Sequence, residues 1–182
     1  MSLKLFHATD ESRVQSILKG GFVYKPNDEH WLGNGIYFFL DYDLARWWST
    51  NPSKKFSVKI SEPAILCVDL TISSDDTLDM NLLSGYLNCL DAYDRFEKEM
   101  LMTLEPEIQH SLKKLRCAFF DTVFKASNIK AIIGSFAHED QRYLKTKPDS
   151  IITQLRLFDL PFVEKQVCVR SGVIMPDMIA RC

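Results

Sequence analysis

Short β-rich runs lie toward both ends of this 182-residue chain, and between them stands a long stretch whose apolar residues recur at helical spacing. That distribution restricts the fold more than any composition figure does. "LKLFHAT" (3–9) reads as a strand, "IYFFL" (36–40) as a second, and "FSVKI" (56–60) and "AILCVDL" (64–70) as two more, separated by Ser61, Glu62 and Pro63. "IKAIIGSF" (129–136), "SIITQLRLF" (150–158) and "KQVCVRSGVI" (165–174) return to strand character. From Thr77 to Phe119 the pattern is mostly helical and is interrupted near Pro106. Strands at both ends with helices inserted between them predict an α+β domain, not a regular βαβ alternation.

Two shorter helices are expected among the N-terminal strands. Thr9 or Asp10 offers an N-cap side chain for "ESRVQSILKG" (11–20), where Val14, Ile17 and Leu18 follow helical spacing and Gly20 and Gly21 supply a stop. "PNDEHWLGNG" (26–35) reads as a loop, and "DYDLARWWST" (41–50) as a helix capped by Asp41 or Asp43. "DTVF" (121–124) reads as the edge of a buried strand. No repeat, low-complexity tract or Pro/Gly/Ser linker divides the chain, so residues 1–182 are expected to form a single domain.

With 46% apolar and 25% charged residues, the composition is that of a folded globular protein and excludes a disordered one. A net charge of −2 supplies no global field for nucleic acid. Local basic runs remain, "HSLKKLR" (110–116) and "DQRYLKTKPD" (140–149), the second with Tyr143 as a base-stacking candidate. Five cysteines, Cys67, Cys89, Cys117, Cys168 and Cys182, are odd in number and lack CxxC spacing. No metal site or disulfide framework is expected from them, and reduced thiols suit a cytoplasmic location. The start of the chain lacks a signal-peptide core, and no apolar run reaches the roughly 18 residues of a membrane span.

Three stretches carry polar or aromatic groups where strands should be burying apolar ones: "LFHAT", "LGNGIYFF" and "VEKQVCVRSGVI". Singly, each has a plain structural explanation: His7 as a satisfied core histidine, Tyr37 as a core aromatic, Gln166 as a solvent-facing strand residue. His30, His110 and His138 show no metal-ligand spacing and read as ordinary surface or loop residues.

In their order along the chain, the three stretches resemble the ADP-ribosyltransferase superfamily, and more closely its poly-ADP-ribose-polymerase-like, diphtheria-toxin-like branch. "HAT" stands at 7–9, "LGNGIYF" at 32–38, "DLARWW" at 43–48, and "QVCV" begins at 166, where the family's glutamate-led strand would fall. The resemblance implies split, bent antiparallel β-sheets with flanking and inserted helices, and NAD as co-substrate without a metal. It carries over His7 as the ribose-binding member, Ala8 as the carboxamide clamp within "HAT" beside Thr9, and Tyr37 as the residue stacking on nicotinamide. Gly35, Phe38 and Ala45 lie in the matched segments, and Trp47 or Trp48 supplies a second aromatic wall.

The chemistry asks for such a set. Breaking the nicotinamide–ribose bond develops positive charge on the sugar, so ring and ribose must both be fixed and water held off. A small residue lets peptide groups approach a carboxamide, and glycines such as Gly33 and Gly35 suit a backbone that bends sharply or passes close to a ligand. Two departures stand out. Ala8 replaces the usual glycine, and Gln166 stands where a glutamate is expected; an amide can hydrogen-bond a ribose hydroxyl but carries no charge and is no base. Glu164, two residues earlier, shares the strand face with Gln166 and is the candidate replacement.

The expected function is therefore an NAD-dependent mono-ADP-ribosyltransferase with a macromolecular acceptor, a nucleic-acid base or a protein side chain. By analogy it is an intracellular toxin or defence effector with an antitoxin or immunity partner. The alternatives are a non-catalytic module binding NAD or ADP-ribose, or an NAD glycohydrolase. A nucleobase acceptor has one chemical attraction: an exocyclic amine attacks without first losing a proton.

Overall fold

A computed structural model describes residues 1–50, 60–136 and 163–182 of the chain. The strands expected over 56–60 and 150–158 fall outside these residues (Ile60 apart), as do His138 and Tyr143.

Strand β1 (Ser2–Asp10) ends where the Asp10 side chain turns back on the backbone. The carboxylate accepts from Ser12 N at 3.0 Å and Ser12 Oγ at 2.6 Å, which caps α1 (Glu11–Gly20), and from Ser61 N at 2.6 Å, which fastens the approach to the next strand pair. These bonds, the Ser12 hydroxyl foremost, hold the Asp10 carboxyl well below the usual carboxylate range. Asp10 rather than Thr9 is thus the cap, and Gly21, at φ 83°, closes the helix. After β2 (Ile36–Phe39), α2 (Tyr42–Thr50) opens on Asp41, whose Oδ1 accepts from Leu44 N at 3.0 Å.

Then come β3 (Pro63–Thr71), β4 (Thr77–Asp79), α3 (Leu83–Glu99), a 3-10 turn (Leu101–Thr103), the short α4 (Pro106–Gln109) and α5 (Leu112–Ala126). Strands β5 (Ala131–Phe136) and β6 (Glu164–Val169), a second 3-10 turn (Pro176–Met178) and strand β7 (Ile179–Arg181) complete the described elements. Among the described residues the architecture is α+β: one seven-strand sheet in the order β4-β5-β6-β2-β1-β3-β7, with five helices. All neighbours are antiparallel except β4 and β5.

Four local readings change. Thr77–Asp79 is strand, because pairing with β5 buries Leu78 and outweighs the helical pattern around it. Pro106 opens α4 instead of only interrupting a helix, since the first helical turn needs no N–H there. "DTVF" is helical: Phe120, Val123 and Phe124 of α5 are buried at three- and four-residue spacing. The strand expected over 165–174 ends at Val169, because a turn with Gly172 at φ 83° follows it; the three-residue β7, for which no strand was expected, borders β3 at the sheet edge.

Leu5, Phe38, Leu66, Val68, Val167 and Val169 form a core on one sheet face under α1. On the opposite face, α2 packs on β1 and β3. There α5 and Phe96 of α3 bury Ile132, Cys168 and Leu32 in a second cluster. Phe39 and Gln166 therefore lie between the two helical covers. Among the described residues no helix is long and apolar enough to cross a membrane.

Candidate active site at the joint between β1 and β2

Strands β1 and β2 meet through one registered pair, Phe6↔Phe39. Continued pairing would bring His7 opposite Phe38 and Ala8 opposite Tyr37. Instead the His7 ring enters the joint, with Nδ1 2.8 Å from the Tyr37 carbonyl oxygen. A carbonyl only accepts, so Nδ1 carries the proton and Nε2 of the neutral ring is the acceptor. The ring is set edgewise against Phe22 (centroids 4.8 Å apart) and Phe38 (5.6 Å). Burial there lowers the His7 pKa, and nearby Arg13 pushes the same way against the opposing carbonyl bond. Ala8 and Thr9 keep their places on β1, opposite Ile65 and Ala64 of β3.

The glycine-punctuated loop before β2 is held to α5. Gly33 has φ +78°, and a side chain on it would meet Asp121 Oδ1 at 2.8 Å; one on Gly35 would meet Cys168 Sγ at 2.6 Å and Val169 O at 2.7 Å. Between them Asn34 donates from N to Asp121 Oδ1 at 2.6 Å and from Nδ2 to Oδ2 at 2.8 Å. Tyr37 ties off the same loop: its hydroxyl accepts from Leu32 N at 2.7 Å and donates to Gly33 O at 2.8 Å. Burial raises the Tyr37 pKa far above the ordinary phenol range, so the hydroxyl stays protonated. Both glycines are thus explained by close approach of protein to protein.

The neighbouring strand supplies a buried carboxyl side chain. Glu164 is fully buried, not solvated at a strand edge, and its Oε1 accepts from Gln166 Nε2. Gln166 lies between Phe39 of β2 and Gly134 of β5, and Glu164 lies opposite Phe136. From α2, Trp48 stacks over Phe39 (6.1 Å, 23°), while Trp47 stands perpendicular to Trp48 (5.7 Å, 89°). Trp48 is therefore the tryptophan at β2. Ala45 and Phe38, each fully buried, and Thr9, nearly so, belong to the packed interior.

By strand alternation Tyr37, Phe39, Gln166 and Glu164 share one sheet face, and His7 shares the other with Phe38. The sequence reading passed over Phe39, which is paired with both Phe6 and Gln166, although strict alternation from Tyr37 pointed to it. It also passed over Asp121, which shows no local pattern.

Two further parts of the notional chemistry lie beside this face. Half-buried His30 packs edgewise on Tyr37 (5.4 Å), with a pKa lowered by burial, and Arg116 lies over the Trp31 ring at 4.2 Å. The basic run 110–116 is matched by acids: Lys113 faces Glu29 at 3.7 Å, and Lys114 bonds Asp28 at 3.0 Å and also Glu107. Among the described residues no group of three or more His, Cys, Asp or Glu side chains is arranged to hold a metal. Neither a family model, a curated protein nor a solved structure matches the chain.

Proposed function

We propose that this protein is an NAD-dependent mono-ADP-ribosyltransferase with a macromolecular acceptor, a nucleic-acid base or a protein side chain. The observation that carries the reading is the joint itself: a neutral histidine stands where a backbone rung between β1 and β2 would fall, and on the far side of β2 strand β6 carries the bonded pair of Glu164 and Gln166. The split, bent sheet of the resembled family would hinge there.

Each residue at the joint would have a part in holding the nucleotide. His7 Nε2 would accept from a ribose hydroxyl, and the Ala8 peptide would clamp the carboxamide, its methyl leaving room for approach. Tyr37 would offer its ring face, since its hydroxyl is engaged twice, and Trp48 on Phe39 would form the opposite wall. Bound NAD supplies the glycosidic bond to nicotinamide, whose rupture leaves positive charge on the ribose. An ionised Glu164, out of water, would act on that charge more strongly than a solvated carboxylate could, and its bond to Gln166 would hold the amide for a ribose hydroxyl.

Gln166 favours a second reading, in which the chain binds NAD without transferring it or releases only nicotinamide. The test uses NAD labelled on its adenylate half in a cell extract, with Glu164→Gln and His7→Gln as controls. Tyr37→Ala is unsuitable because it also unties the loop. Label on macromolecules that both variants lose supports the transferase, and separate nuclease and protease digestion names the acceptor class. Free nicotinamide without label selects the glycohydrolase. NAD binding with neither product selects the binding module.

A further inference from the structure

Of the seventeen residues of α3, only Gly85 and Phe96 are buried. Leu82 just before the helix, and Leu83, Tyr86, Leu87, Leu90 and Tyr93 within it, are 37% to 75% exposed. The helical ones recur at three- and four-residue spacing and so form one stripe, adjoining the side that carries Phe96. Isolated exposed leucines need no explanation, but a continuous apolar stripe marks an interaction surface.

We propose that α3 is the interface of an isologous dimer, packed antiparallel on α3 of a second copy about Leu87 and Leu90. Area and charge argue for this occupant. The six side chains expose on the order of 600 Å², against about 800 Å² per chain in a standard interface. Leu82 gives the helix no side-chain cap, and its first turn holds no acidic residue. The C-terminal half instead carries Asp94, bonded to Lys98 at 2.6 Å, and Glu97 beside the stripe. With Leu87 opposite Leu90 of the second copy, that copy's Asp94 falls beside Leu83, at the positive end of the helix. Each chain thereby supplies the charge that the other's first turn lacks. Acids outnumber basic residues on α3, with Asp91, Asp94, Glu97 and Glu99 against Arg95 and Lys98, which argues against an anionic membrane surface.

The proposal is independent of the transferase reading. Sedimentation equilibrium should give about twice the 21.0 kDa chain mass for the full chain. Leu87→Lys and Leu90→Asp, each at an exposed site, should separately weaken association by about a hundredfold while leaving the circular dichroism melt unchanged. Mixing the two variants should restore a dimer, because the antiparallel arrangement sets the introduced ammonium of one chain against the introduced carboxylate of the other. A wild-type monomer, a dimer untouched by both substitutions, or failure of the mixture to associate would each overturn the proposal.

Discussion

The loop over residues 27–37 and the two titratable residues His7 and Glu164 differ in what their polar groups do. In the loop, those groups are spent on the protein itself: Asn34 on Asp121, the Tyr37 hydroxyl on Leu32 and Gly33, and Asn27 N on Asn34 Oδ1 at 2.9 Å. His7 enters the sheet where backbone pairing between β1 and β2 lapses, and Glu164 lies fully buried on β6 opposite Phe136; both bring titratable groups into the sheet. A motif's most recognisable residues can therefore serve the scaffold, while the chemistry rests on plainer ones beside it. Loop variants should cost stability, and joint variants should cost activity.

The largest effect is expected at Gly35. Its added methyl would stand 2.6 Å from Cys168 Sγ and 2.7 Å from backbone oxygen, so Gly35→Ala should lose about 3 kcal/mol in urea unfolding. A wild-type midpoint would show that the loop is not seated against β6. On the other side of the contrast, Glu164→Gln should lower transfer by about 10²- to 10⁴-fold. NAD affinity should hold, which calorimetry can check; equal loss of affinity and stability would make Glu164 a scaffold residue like the loop.

Tyr37→Phe discriminates more finely. It leaves Leu32 N and Gly33 O without the hydroxyl, so about 1–3 kcal/mol of stability should go, with turnover per folded molecule unchanged. A selective loss of turnover would move Tyr37 to the chemical side of the comparison.

The smallest effect is a pH dependence. Folding lowers the His7 pKa, so below the unfolded value near 6.5 the unfolded chain binds more protons. Stability is full above about pH 6.5 and falls as pH drops through the lower folded value. His7→Gln should flatten part of that decline in thermal melts, the remainder including His30, which is shifted the same way. An unchanged slope would mean that the His7 ring is already hydrated at the joint.

Much of the secondary structure was legible because it is local. A cap at Thr9 or Asp10, a glycine stop at 20–21, and the strand character of residues 3–9, 36–39 and 131–136 follow from side-chain shape, capping and alternation within a few residues, and the structure chose Asp10 and Gly21. Strand β4 was not, since three residues become strand only when β5 lies beside them. Nor was helical "DTVF", whose apolar residues fit either period until α5 packs on the sheet. The same division runs through the candidate site. The two-residue step from Glu164 to Gln166 put both on one strand face before any fold was known. The burial of Glu164, the choice of Trp48 over Trp47 beside Phe39, and the His7 bond to the Tyr37 carbonyl, thirty residues away, required the sheet. Sequence determines which groups a segment can present. Desolvation and partner choice arise from distant segments meeting, so only the tertiary structure decides which groups are neutral, charged or engaged.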